Sequence, residues 1–333
     1  MFFSNMIGVD LGTDTLKLRD RSGEQFMENR NMIARRGRKT LAIGNDAYAM
    51  YEKNPTSVQV IRPMTGGVIA SAEDMESVLT YTLRKFTTFS QKSAGICIAV
   101  PSQVTPVEQR AFYNVCNTTL SPGRVHLVEK GIADAVSIGL PVLGPEGHMI
   151  VNIGGDTTEI SVISDGKVII GRTLKEGGFT LDDDIVTMVR RKFNISIGRK
   201  TAEQLKNNLA FMINGPRLEQ KVFGIHTLSG LPKSDMIPAL AVSVAVLAAI
   251  DRIVDEVRQV VDRTPPMLRQ DIFREGIFLT GGVSLIQNLP MYLQKEVSLP
   301  VYHIQDPKNS TIRGLVTMIN QKELHALMRS PRR

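Results

Sequence analysis

The residues of this chain that can do chemistry sit in three glycine turns. Two of them match each other: Val9-Asp-Leu-Gly-Thr-Asp-Thr-Leu16 and Val151-Asn-Ile-Gly-Gly-Asp-Thr-Thr158. The match pairs Asp10 with Asn152, Gly12 with Gly154, Asp14 with Asp156 and Thr15 with Thr157. The third turn, Ile277-Phe-Leu-Thr-Gly-Gly-Val-Ser284, reads as an apolar strand followed by a glycine pair and a helix. A glycine turn exposes successive backbone N–H groups, which form an anion nest without any cationic side chain. Glycine is needed where oxygens approach closer than a Cβ allows. Threonine hydroxyls add donors, and an acid at the strand end, here Asp10, can hold a hydrated Mg²⁺ beside phosphates. Two matched turns and a third strand–glycine turn point to a polyphosphate gripped from two domains.

Short strands and their helices must carry these turns. Ile7 to Thr13 reads as a strand ending in the first turn, and Leu16-Lys-Leu-Arg19 alternates as a return strand would. Arg35-Arg-Gly-Arg-Lys39 is a basic, solvated turn between strand-like runs. Met75, Val78, Leu79, Leu83 and Phe86 recur at helical spacing within 73–89. Gly95 to Val100 is an apolar strand stopped by Pro101, and 105–116 has a cap, a first-turn proline and a helical pattern. Val125 to Val128 reads as a strand, and 131–139 as a small-residue helix. Glu159-Ile-Ser-Val-Ile163 alternates after the second turn. Between the second and third turns the chain reads as mostly helical, with Pro/Gly breaks at 215–216, 224, 230 and 232.

Composition sets the bounds. A chain of 333 residues with 42% hydrophobic and 22% charged residues can bury two cores, so two domains are expected. The net charge of +7 favours acidic partners without choosing among them. Cys97 and Cys116 are too few for a disulfide framework or a four-cysteine zinc site and read as buried thiols. The apolar run Ala239 to Ile250 is shorter than the roughly 20 residues of a spanning helix, and no cation precedes Lys17 as a signal peptide requires. A cytoplasmic protein is expected. The sequence has no G-x-x-x-x-G-K-[ST] loop, no G-x-G-x-x-G after a strand, no H-E-x-x-H and no G-x-S-x-G.

With these turns in place, the chain resembles the actin-like ATPases and, among them, the bacterial MreB cell-shape proteins. Ile61-Arg-Pro-Met64 with Gly67-Val-Ile-Ala70, Val100-Pro101, Thr105 to Arg110 and Asn152 to Glu159 are similar to segments of that family. So are Ile197-Gly-Arg-Lys-Thr-Ala-Glu203 with Lys206, Thr264-Pro-Pro266 and Gly276 to Gly282. The resemblance implies an α/β, actin-like (ribonuclease H-like, duplicated) two-domain fold. Its first domain would span 1–143, with a small subdomain around 28–72 and a C-terminal helix at 311–328 packing back on it. The second would span 144–310, with a small subdomain around 180–250, followed by a basic tail at 329–333. It also implies ATP with Mg²⁺ between the domains. The first loop would supply Asp10, Gly12, Thr13, Asp14 and Thr15, with Asp10 meeting Mg²⁺ through water. The second would supply Asn152, Gly154, Gly155, Asp156 and Thr157, beside Gly177 and Gly178. Glu203, Lys206, Gly281, Gly282, Val283 and Ser284 would complete the nucleotide contacts.

The resemblance further implies head-to-tail filaments on the inner membrane face that guide cell-wall synthesis. The expected partners are further copies of this chain or a competent MreB paralogue, an anionic membrane surface and membrane-bound cell-wall elongation proteins, with no nucleic acid. Phe2 with Phe3, and Phe86 with Phe89, are the candidate membrane contacts, and core packing is their other reading. The departures from the family fall on the nucleotide residues. Gly12-Thr-Asp-Thr15 is shorter than the family's Gly-Thr-Ala-Asn-Thr and places an acid beside the phosphates. Asn152 stands for an acid, Asp156 for a glycine and Val283 for a glycine, and Lys206-Asn-Asn208 replaces Lys-x-Glu. Glu129-Lys130-Gly131 replaces Glu-Glu-Pro, which puts a lysine at the water-orienting acid. Protonated Lys130 cannot accept a proton, so hydrolysis is expected to be weak or absent unless Glu129 has taken over the water. Two other readings stand beside this one: a small sugar or acid kinase of the same superfamily, and a plasmid-segregation filament protein.

Overall fold

The computed structural model describes residues 6–53, 55–86, 94–119 and 124–330. Two five-stranded sheets carry the three turns. The first has the order Val125–Glu129, Gly95–Val100, Met6–Leu11, Thr15–Asp20, Phe26–Arg30. The second has the order Val301–His303, Ile277–Thr280, His148–Ile153, Thr158–Ser164, Lys167–Leu174. Numbered within each sheet, both orders run fifth, fourth, first, second, third. The sequence repeat is therefore a repeat of topology.

Chain contacts form two compact units, one of Met1–Ile150, Ser161–Thr173 and Lys308–Arg333, the other of Val151–Ile160 and Leu174–Pro307. In the first unit, alternation along the strands sorts side chains to two faces. Val9 pairs with Leu18 and Leu11 with Leu16, and these four join a core with Met75, Val78, Leu79, Leu83, Phe86, Phe112 and Val115. Helices Ala72–Phe86 and Pro106–Thr119 supply that cover. The second of these starts in a capping box. The Glu108 carboxylate accepts from the Thr105 N–H at 2.7 Å and its hydroxyl at 2.8 Å, satisfying donors that a helix start leaves orphaned. Phe86 lies in this core, so core packing is its role and the membrane expectation for it is withdrawn. Phe2, Phe3 and Phe89 fall outside the described residues.

The other face of the first sheet presents Gly8, Asp10 and Lys17. Helix Ser310–Asn320 packs there, and a Cβ on Gly8 would meet Ile312 at 3.3 Å. Helix Lys130–Ile138 packs against Ser310–Asn320 at backbone distance, because a Cβ on Gly314 would stand 1.8 Å from the Ala133 carbonyl oxygen. Buried Asp134 accepts hydrogen bonds from the Ser310 and Thr311 hydroxyls, each at 2.7 Å.

The structure corrects the reading of the chain between the second and third turns. Glu219–His226 and Pro232–Pro238 are an antiparallel hairpin, joined by Ile195–Ser196 into a three-stranded sheet. The breaks read at 224, 230 and 232 belong to it. Gly224 lets the strand cross Ser196, whose carbonyl oxygen would sit 2.3 Å from a Cβ, and Gly230 takes the left-handed conformation in the connection. The helix expected directly after the third turn is a short 3₁₀ turn, Gly282–Leu285, with the α-helix delayed to Leu289–Val297. Ala239–Arg263 is one amphipathic helix with a buried stripe from Val242 to Val261, and among the described residues no helix is long and apolar enough to cross a membrane.

The approach of Gly314 to Ala133 gives a test of the packing. Gly314→Ala forces a methyl into backbone that has no side chain to move aside. Overpacking costs about 1–3 kcal/mol even where side chains can shift, so the variant should melt clearly below the parent chain. An unchanged melting temperature would show that the two helices do not meet at that distance.

Candidate functional site

The two matched turns close in the same way. The Gly12 N–H donates to the Thr15 carbonyl at 3.0 Å, and the Gly154 N–H to the Thr157 carbonyl at 2.9 Å. A Cβ at Gly12 would lie 2.7 Å from the Thr15 oxygen, and one at Gly154 3.0 Å from the Thr157 oxygen. Glycine at these positions is thus required by the turn itself. Thr13 is buried in the first loop and Thr157 in the second, and Asp10 and Asn152 are buried at matching places on the strands that lead in.

In the first unit, Asn31 staples the loop: its N–H donates to the Asp14 carbonyl at 2.8 Å and its side-chain amide to the Gly12 carbonyl at 2.9 Å. The Asp14 carboxylate accepts from the Arg30 guanidinium at 2.6 and 2.7 Å, and that guanidinium lies 4.2 Å from the Tyr48 ring centroid. The acid expected beside the phosphates is therefore neutralised by a partner the sequence reading did not find. Asp10 is paired as well. Lys17 faces it in register, with Nζ 3.8 Å from the carboxylate, and donates to the Lys308 carbonyl. Burial pushes the Lys17 ammonium below its ordinary value; Asp10 and Glu28 oppose the shift, and Lys308 and Lys130 reinforce it.

Those neighbours bear on the Mg²⁺ expected at Asp10. A divalent ion held through one carboxylate needs that charge to be available. Here the carboxylate already faces an ammonium, and the matching strand end carries neutral Asn152. These residues do not fit the ion.

Glu129 and Lys130 separate at the end of their strand. Register aligns Asp10 with Ala99 and Ala99 with Val128, so Glu129, one residue further, leaves the sheet on the opposite face from Asp10. Its carboxylate lies 3.9 Å from Arg329, whose backbone pairs with Leu127 along the sheet edge. Burial raises the Glu129 carboxyl above its ordinary value, while Arg329 and a backbone hydrogen bond from Val168 pull it down. Lys130, at the start of its helix, adds its charge to the Lys17 side. The expectation that Glu129 has taken over the water thus meets the pleat, which turns its side chain away from the face that carries Asp10.

In the second unit, the Gly178 and Phe179 N–H groups donate to the Gly154 and Gly155 carbonyls at 3.0 and 2.7 Å. Gly177 and Gly178 consequently buttress the second loop. A Cβ on Gly177 would lie 2.8–2.9 Å from backbone atoms of Gly154, Asp156 and Thr157. Lys206, expected to reach the nucleoside, donates to the Gly178 carbonyl at 2.8 Å and lies 2.7 Å from buried Asp182. Glu203 is half-buried one turn earlier on the same helix. Gly281, at φ +86°, brings the third turn against the Ile153 carbonyl, which would stand 2.3 Å from a Cβ, while its N–H donates to Pro307 at 2.9 Å. Gly282 faces open space, the Ser284 hydroxyl donates to the Gly281 carbonyl at 2.6 Å, and Val283 is buried 3.5 Å from where a Gly178 Cβ would stand. Cys97 and Cys116 are buried free thiols, and burial pushes Cys116 up to about 12.

The raised Glu129 carboxyl carries a pH signature. A raised carboxyl supports the fold while protonated; that contribution is complete below the unfolded value and is lost as pH rises through the folded one. Glu129→Gln should therefore flatten the fall in stability with rising pH just above the ordinary carboxyl range, read by denaturant melts across acid pH. A variant that parallels the parent at every pH would place Glu129 in water.

A family model described as MreB/Mbl protein matches residues 4–326. The cell shape-determining protein Mbl of Bacillus subtilis is 31% identical over 328 residues, covering 96% of this chain and 97% of that protein. The cell shape-determining protein MreB of Pasteurella multocida is 32% identical over 336 residues, covering 97% and 95%. A crystal structure of MreB5 of Spiroplasma citri bound to AMPPNP matches with a TM-score of 0.90 at 31% identity, over 96% of this chain and 97% of that one. At 18% identity, a MamK double helical filament shares the fold with a TM-score of 0.77. The duplicated sheets are thus the actin-like fold, and the chain belongs to the MreB/Mbl family of actin-like cell-shape proteins.

Proposed function

We propose that this chain is a filament-forming MreB-type protein that binds adenine nucleotide and hydrolyses it weakly or not at all. The observation that carries this reading is the pair of matched turns with one shared closing hydrogen bond, set in a chain of this family. The relatives' structures with AMPPNP and ADP support nucleotide binding here. The loops Gly12–Thr15, Gly154–Thr157 and Gly281–Ser284 would meet the nucleotide, while Gly177, Gly178 and Lys206 hold the second loop in shape. Weak hydrolysis follows from the charges. The position of the water-orienting acid is Lys130, and Glu129 leaves on the other face. Loss of one positioned acid–base group costs about 10²–10⁴ in rate.

Filaments would form from copies of this chain or with a competent MreB paralogue. They would lie on the anionic inner face of the cytoplasmic membrane, beside membrane-bound cell-wall elongation proteins. Exposed Phe223, Leu228 and Leu231 on and beside the hairpin strands supply apolar surface of the kind that contacts between subunits cover. The kinase and plasmid-segregation readings have no such support, since the matched family is a cell-shape one.

The test is nucleotide-dependent sedimentation with phosphate release, beside a competent MreB as reference. The chain should pellet as polymer, alone or with that reference, and release phosphate at least about 10²-fold more slowly. Release at the reference rate would overturn the hydrolysis reading, and a persistent monomer in both mixtures the filament reading.

For the membrane, Phe2→Ser with Phe3→Ser should reduce co-flotation with anionic vesicles. Full burial of each ring would contribute about 1.5–3 kcal/mol. Unchanged flotation would move the membrane contact elsewhere.

A further inference from the structure

Lys17 is a buried cation set against the first loop. It lies on the return strand Thr15–Asp20, opposite Asp10, and the two side chains are 6% and 8% exposed. Its ammonium sits 3.8 Å from the Asp10 carboxylate and donates to the carbonyl of Lys308. The Lys308 ammonium is itself paired with Glu28 at 2.6 Å. An ammonium carries three donors, and one carboxylate and one carbonyl take at most two of them. Burial keeps water from competing for the third.

The surroundings explain why a second cation is unwelcome. A hydrated Mg²⁺ brought to Asp10 would meet the Lys17 ammonium at the same carboxylate, with the charge of Lys130 also within reach. Like charges at one buried acid oppose each other, and the water shell through which the ion would meet Asp10 would have to share that carboxylate with the packed ammonium. Lysine needs neither adjustment, because its stem is already packed and its charge is fixed on the strand. A lysine also serves as a point charge for phosphate.

We propose that the Lys17 ammonium takes the place of the hydrated Mg²⁺ at the first loop, so that this chain binds the phosphates of its nucleotide without a divalent ion. The assignment rests on the nucleotide-binding reading above, and it names the residue that replaces the missing ion. No bond is made or broken; one positive charge on the protein does what a dissolved ion would otherwise do.

Titration calorimetry of the full chain with ADP and with AMPPNP, in EDTA and in excess Mg²⁺, tests it. The parent chain should bind each nucleotide with affinities within about twofold of each other in the two conditions. Lys17→Met should lose about tenfold or more in EDTA and recover part of it in Mg²⁺, because Asp10 is then free; a tenfold change corresponds to about 1.4 kcal/mol. Mn²⁺ with ADP gives a second readout. Water-proton relaxation should show no bound ion with the parent chain and a bound ion with Lys17→Met. Melting curves of the variant confirm that it is folded, and the parent chain in EDTA decides the matter if it is not. A parent chain that binds in Mg²⁺ and weakens about tenfold or more in EDTA overturns the assignment and leaves nucleotide binding standing. A parent chain that binds neither nucleotide in either condition overturns both.

Discussion

The two matched loops depend on one backbone constraint, the closure of a tight turn at the end of a buried strand. At Gly12 and at Gly154 the N–H reaches a carbonyl three residues on, and a Cβ would collide with that carbonyl. The strand before each turn is wholly buried and cannot shift to relieve the collision. Small residues around the turns obey the same limit. Gly177 is packed on the second loop's backbone, and Gly281 on the carbonyl of Ile153. Glycine is required at these positions because the surrounding backbone leaves no room for a side chain.

The acids at the first loop have cationic partners. Asp14 is held by Arg30, Asp10 faces Lys17, and the charge of Lys130 adds to the Lys17 side. Glu129, which remains, points to the other face and ends near Arg329. General-base chemistry needs an acceptor within hydrogen-bond reach of the water, and protonated lysines supply only donors. A surface of donors and positive charge suits the binding of anionic oxygens, and it is poorly made for removing a proton.

The repeat made the fold legible. Two copies of a strand–turn–strand pattern, and helical spacing through 73–89 and 105–116, predicted elements the structure contains, because a period of two or of 3.6 is a local property. The hairpin at 219–238 was misread for an equally physical reason. Its strands hide only one side, with Val222 and Ile237 buried among exposed neighbours, so no continuous apolar run announces it. At the loops, the glycines and threonines could be found by type and spacing. The partners could not. Arg30 meets Asp14 across a strand pairing, and Lys17 is bonded to Lys308, far along the chain. Lys17 did carry a signal, a lysine flanked by Leu16 and Leu18 on the return strand. The opposite faces of Val128 and Glu129 were also implicit in the alternation of their strand. What was missing was the register that ties Val128 to Ala99 and Asp10.

A chain that held nucleotide without turning it over would have a different use for it. A ligand that binds only the folded form stabilises that form by mass action, by about 2.7 kcal/mol when present at a hundred times its dissociation constant. In a hydrolysing filament protein that contribution changes as the phosphate leaves, and the subunit's preference for the polymer changes with it. Under the proposed weak hydrolysis, the bound state would persist, and the nucleotide would act as a fixed part of the core around the loops. Turnover of such filaments would then be set by contacts outside the loops: the charged and apolar surfaces of each subunit, and the partners with which it assembles. The buried lysine at Asp10 fits that arrangement. A cation supplied by the strand is always present, so the loop's occupancy would no longer follow the supply of a dissolved ion.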